Sequence, residues 1–277
     1  MRRTFRTLAL SATVAAFVPW VRADETTFCN TYITSLPYTI TVQGHYCFNR
    51  NLSTAMTSGA AIAVNADFVV LDLNNFKLGG GAAGPATQTV GILGVNRSNI
   101  TIRNGNIRGF LVGIRLTAPD ASLSQNNLVE NNVLDGNTNK GIDLRGRSNV
   151  VRNNIVTSTG GSTITPPRPC TYAIDTCFGA ESGCPLSATS ALVQGNYISG
   201  VTNPVGATCS IGIYAPAALN ADHGGIVIGN VVQGVQDNPN PGGGGPIFGG
   251  ICRDNTVYVT PGDDAYGCLI TGGANVP

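Results

Sequence analysis

Residues 99–109 read NITIRNGNIRG, and looser copies follow at 127–136 (NLVENNVLDG), 149–158 (NVVRNNIVTS), 191–200 (ALVQGNYISG) and 225–234 (GIVIGNVVQG). Aligned on Asn106, Asn132, Asn154, Asn196 and Asn230, the copies always place Gly or Asn just before that asparagine. These residues accept a left-handed backbone at least cost, so each copy reads as a strand, a sharp bend and a second strand. A third apolar piece lies between the copies: VGILG (90–94), VGIRL (112–116), KGIDL (140–144), YAIDT (172–176), IGIYA (211–215) and FGGIC (248–252). Three short strands per repeat, at ladder spacings of 22 to 42 residues, predict a solenoid whose coil is a little over twenty residues, with long insertions in two coils. Stacked coils would align the asparagines, each amide bonding the next, and bury the alternate Val, Ile and Leu as one continuous core.

The repeats resemble the right-handed parallel β-helix superfamily, the pectin lyase-like group that includes pectate lyases, polygalacturonases and secreted proteins with parallel β-helix repeats. The resemblance spans roughly residues 38–270 and touches the opening stretches TITVQGHYCFNRNL and AAIAVNADFVVLDLNNFKLGG. It implies an all-β fold, a single-stranded right-handed parallel β-helix of about seven coils. It does not fix a reaction, because this backbone hosts several chemistries.

Composition narrows the function classes. A chain of 277 residues that is 11% charged, with 36 glycines and a formal net charge of +1, lacks the basic stripe a nucleic-acid binder needs. Met1 to Ala23 reads as a signal peptide, with Arg2, Arg3 and Arg6 ahead of the apolar run Leu8 to Val21 and a small-residue cleavage site. That run is too short to span a bilayer comfortably, and no other segment is expected to span one. The protein is therefore expected to be secreted, periplasmic or on the cell surface, and monomeric. The remainder, 24–277, reads as one domain whose residues 24–50 cap the amino end of the solenoid.

Eight cysteines suit an oxidising compartment. Proximity pairs Cys29 with Cys47 and Cys252 with Cys268, and leaves Cys170, Cys177, Cys184 and Cys209 to pair among themselves. They lie in or beside loops rich in Gly, Pro and Ser, which read as stapled walls or as neutral insertions tolerated by a solenoid.

Strand alternation makes the outer face of the first strands readable. Taking Ile92, Ile114, Ile142, Ile174, Ile213 and Ile251 as inward, the residue before each is small, including Gly113, Gly141 and Gly212. The residue after runs Leu93, Arg115, Asp143, Asp175, Tyr214 and Cys252. The expectation is a smooth glycine strip beside a polar row, a floor for an extended polysaccharide. The resemblance points to the same sheet, where β-helix polysaccharide enzymes carry their sites. Alternation turns Lys140 inward, unless its head reaches water at the mouth of a coil or the register slips there.

Asp143 and Asp175 fall in one column on neighbouring coils, about 4.8 Å apart by strand spacing. Two carboxylates that close must be relieved by a shared proton, by a cation such as calcium, or by Arg115 and Arg145. Calcium with an arginine base would suit a polyuronate lyase, and a protonated carboxyl a glycosidase. Plain ion pairing would make the row structural. Arg115, Asp143, Arg145 and Asp175 are thus the candidate catalytic centre, with calcium on the two aspartates. Tyr214 is a candidate sugar platform, and His223, in a loop after a first strand, a candidate binding residue. Asp222-His223-Gly224 and Gly262-Asp263-Asp264 look like polygalacturonase motif fragments, but in reversed order and without the Asn-Thr-Asp. That mechanism is not carried over. The rival to an acidic-polysaccharide protein is a non-catalytic structural, adhesive or surface solenoid.

Overall fold

The structure, a computed structural model, describes residues 29–119, 123–165, 170–177, 191–205, 209–215, 225–236 and 245–258, together with the backbone of 266–271. The expected signal peptide, 1–23, lies outside the described residues. Among the described residues every strand pairing is parallel, and the coils contribute to three columns. One coil supplies Val112–Thr117 to the first column, Leu128–Glu130 to the second and Val133–Asp135 to the third, and Lys140–Leu144 then returns to the first. Among the described residues, the first and second columns merge into a 17-stranded sheet through Gly245–Arg253, which pairs with both, and the third is an 8-stranded sheet. The chain is thus a parallel-strand solenoid in a nearly closed spiral. Strands Thr31–Ile33, Tyr38–Ile40 and Gly44–Phe48, within the expected cap, already belong to these columns.

Three inward stacks fill the spiral. Ile62, Ile92, Ile114, Ile142, Ile174, Ile213 and Ile247 lie in register down the first column, all fully buried. Ile102, Val129, Val151, Val193 and Val227 continue the core in the second, and Leu78, Ile107, Leu134, Val156, Ile198 and Val232 in the third. Each such side chain contributes about 1.5–3 kcal/mol relative to exposure. The last coil departs from the expected alignment. Ile251 faces Ile226 in the second column, while Ile247 faces Ile213, because 245–253 runs unbroken through both columns.

The asparagine ladder forms between the second and third columns. Asn132, Asn154 and Asn196 each donate a backbone N–H and a side-chain N–H to the Oδ1 of the next asparagine, at 2.9–3.1 Å. Asn230 does the same to Asn255, a rung the sequence reading missed because aspartate precedes it. The first copy is displaced by one residue. Gly105, not Asn106, stands in the ladder column and donates its N–H to Asn132 Oδ1, while Asn106 faces Val133. The bend before each rung is left-handed, with φ of 55° at Asn104, 54° at Asn131, 55° at Asn153, 62° at Gly195 and 64° at Gly229.

Cys29 pairs with Cys47 as expected, and Cys170 pairs with Cys209. Cys177 and Cys252 are also disulfide-bonded. Among the described residues no helix is long and apolar enough to cross a membrane.

Candidate functional site

The first column's outer face is built by a break in alternation. A Cβ added to Gly113 would lie 2.8 Å from the Gly141 carbonyl oxygen and 2.9 Å from Leu134 of the core. Gly141 would meet Ala173 O and Val156, and Gly212 would meet Pro246 O and Val232. Glycine and the following isoleucine thus both face inward at a corner where successive coils nearly touch. The expected glycine strip is corrected accordingly: Gly113, Gly141 and Gly212 are buried and do not floor a groove.

Two consecutive inward residues put the residues on either side of them on the same outer face. Val112, Lys140 and Tyr172 form one outer row in register, and Arg115, Asp143, Asp175 and Tyr214 form the other. Val112 packs outside the main core, in a small cluster with Val90 and Leu111 against Ile164 from the first long insertion. Lys140, which strict alternation turned inward, belongs to the outer row and is the central group of the site.

Lys140 Nζ donates to Asp175 Oδ2 at 2.6 Å, lies 3.8 Å from Asp143 Oδ2, and stands 4.7 Å from the centre of the Tyr172 ring. Arg145 donates from Nε to Asp143 Oδ1 at 2.7 Å, and its Nη2 is 3.9 Å from Asp175 Oδ2. Arg115 Nε donates to Asp143 Oδ2 at 3.0 Å. The remaining oxygen of Asp175, Oδ1, accepts from the Cys177 N–H at 2.9 Å. Lys140, Asp143 and Asp175 are almost completely buried, whereas the Arg115 and Arg145 side chains are 28% and 20% exposed.

The predicted set Arg115, Asp143, Arg145 and Asp175 therefore does converge, around a lysine the sequence reading did not include. Of the ways to relieve two adjacent carboxylates, the geometry realises ion pairing. Burial pushes the Asp143 carboxyl up, but Lys140, Arg145 and Arg115 together outweigh it and hold the group below its ordinary value. An acid held ionised is poorly suited to protonate a leaving group. Calcium does not fit either. It takes six to eight oxygen ligands, and here all four carboxylate oxygens already accept from Arg115, Arg145, Lys140 or Cys177.

Beside the ion pairs runs an aromatic row. Tyr172 and Tyr214 have ring centres 5.7 Å apart, and Tyr214 and Phe248 6.1 Å. Phe248 takes the column place that the sequence alignment assigned to Cys252. Burial, followed by the charge of Asp175, pushes the Tyr214 phenol up, so it stays a neutral hydroxyl at physiological pH. The Cys170–Cys209 disulfide ties together the residues just ahead of two neighbouring strands of this face, Thr171–Asp175 and Ser210–Ala215. The expected binding residue His223 lies outside the described residues.

In comparisons with known proteins, the chain matches no family, no curated protein and no solved structure.

Proposed function

We propose that the chain is an exported, right-handed parallel β-helix of the pectin lyase-like kind that binds an acidic polysaccharide on the outer face of its first column. The observation that carries this reading is the layering of charge: two carboxylates are buried and neutralised, and two partly exposed guanidiniums crown them, beside an aromatic row. Three cations over two carboxylates leave the face net positive. Arginine forks suit carboxylate and sulfate groups, and Tyr214 offers a ring face with a neutral hydroxyl for a sugar. The disulfides agree with export to the periplasm, the surface or the medium. The same geometry argues for binding without cleavage, because the centre has neither a free carboxyl nor open metal-binding oxygens.

Affinity electrophoresis and titration against polygalacturonate, alginate and a neutral glucan test the reading, with mass spectrometry of any products, with and without calcium. The expected result is retention by the polyuronates only, unaffected by a chelator, weakened by Arg115→Gln and Tyr214→Ala, and without fragments. Calcium-dependent unsaturated fragments would make the protein a lyase. Indifference to every polymer would leave the rival account, a structural or adhesive solenoid, which the complete engagement of both carboxylates also favours.

A further inference from the structure

The third column carries a second recess, whose lining shares no residue with the charged face of the first. Leu78 points into the core, so Lys77 and Gly79 on either side of it point out. Ser53, Gly79, Arg108 and Asp135 are in-register neighbours on successive coils, and the glycine leaves one side chain missing from that outer column. A Cβ at Gly79 would sit 3.0 Å from Ser53 Oγ and 3.5 Å from Lys77 Cε, so these two side chains border the gap. Chain just after this strand supplies a wall at Gly81. Gly80 donates its N–H to Arg108 O at 2.9 Å, and a Cβ at Gly109 would strike Gly81 at 2.5 Å, which fixes the wall against the next coil. The result is a cleft of about 270 Å³, bordered also by Thr54.

Its chemistry is specific. Arg108 pairs with Asp135 through Nη2 at 3.0 Å while remaining 53% exposed, and Lys77 has no ion pair among the described residues. One net positive charge therefore faces a recess that also presents the hydroxyls of Ser53 and Thr54. The volume is below the range of about 300–1,000 Å³ usual for ligand pockets, which suits one sugar residue and not an oligomer.

We propose that this cleft binds a single hexuronate residue, its carboxylate between Lys77 and Arg108 and its ring hydroxyls toward Ser53 and Thr54. The site goes beyond the polymer-binding face of the first column and shares no residue with it.

Titration of the mature protein with sodium galacturonate, galactose and sodium acetate tests the assignment. Saturable binding is expected for galacturonate alone, weakened at least about tenfold by Lys77→Ala or Arg108→Ala, as befits loss of a charge-assisted contact. Gly79→Leu, which fills the recess, should abolish it. Arg115→Gln should leave it intact, which separates failure here from failure of the polymer reading. Thermal melts of the Lys77 and Arg108 variants should match the parent, since both side chains lie on the outer face. No saturable binding in the millimolar range, equal binding of galactose or acetate, or indifference to Lys77→Ala would each overturn the proposal.

Discussion

Lys140 and Asp175 are joined across neighbouring coils by a buried 2.6 Å hydrogen bond, with Asp143 3.8 Å from the same ammonium. The lysine thus takes the place between two carboxylates that a bridging metal would otherwise need. Removing it should leave two buried like charges side by side, with Arg115 and Arg145 as the remaining counterions. Lys140→Ala is expected to cost about 3–5 kcal/mol, as for other broken buried ion pairs. A variant that melts with the parent would refute the assigned role.

Asp143 sets an acid limit on stability. Its folded carboxyl is held below the ordinary value of 3.8, so the unfolded chain takes up the proton first as pH falls. The contribution is fully present above the unfolded value and is lost as pH falls toward the folded one. Urea unfolding midpoints should therefore be steady from neutrality into the mildly acidic range and then drop. In Asp143→Asn that part of the drop should be missing, against a lower plateau at neutral pH.

Two asparagines two coils apart should behave in opposite ways. Asn154 accepts from Asn132 through Oδ1 and donates through Nδ2 to Val129 O and Asn196 Oδ1, all buried. Asn154→Ala leaves buried donors and acceptors unmatched, at about 1–3 kcal/mol for each, and should lower the melting temperature clearly. Asn106 Oδ1 is buried without a partner, in register with Val133. Asn106→Val should be neutral or stabilising, because it removes that orphan acceptor. Paired thermal melts decide both.

Gly113→Ala should cost about 1–3 kcal/mol, as overpacking does, since its Cβ would press on the Gly141 carbonyl oxygen of the next coil. If the variant melts with the parent, the close approach of these coils is not a constraint.

The parts of the architecture that repeat were readable in the chain: the bend residues, the aliphatic stacks and the asparagine ladder all recur in types that permit few alternatives. The slips came where two placements were chemically equivalent. In Asn104-Gly105-Asn106, either Asn-Gly or Gly-Asn satisfies the pattern of a bend residue followed by a rung residue, and only the packed coil shows Gly105 in the rung beside Leu73. Strict alternation also failed at the glycine corner, where two consecutive residues face the core. That hid Lys140 from the candidate site, and it turned an expected glycine floor into part of the interior. The convergence of Arg115, Asp143, Arg145 and Asp175 was legible because parallel register stacks equivalent positions. Their charge balance was not, because it depends on the lysine behind the corner.

The asparagine ladder asks only that the same residue come back to the same corner. Successive rungs are separated by 22, 42, 34 and 25 residues without a change in the bond pattern. The solenoid therefore counts turns and is indifferent to the chain spent between them. Outward segments can lengthen, shorten or change composition while the interior stays in step, so surface specificity on such a scaffold is free to diverge much faster than the frame that displays it.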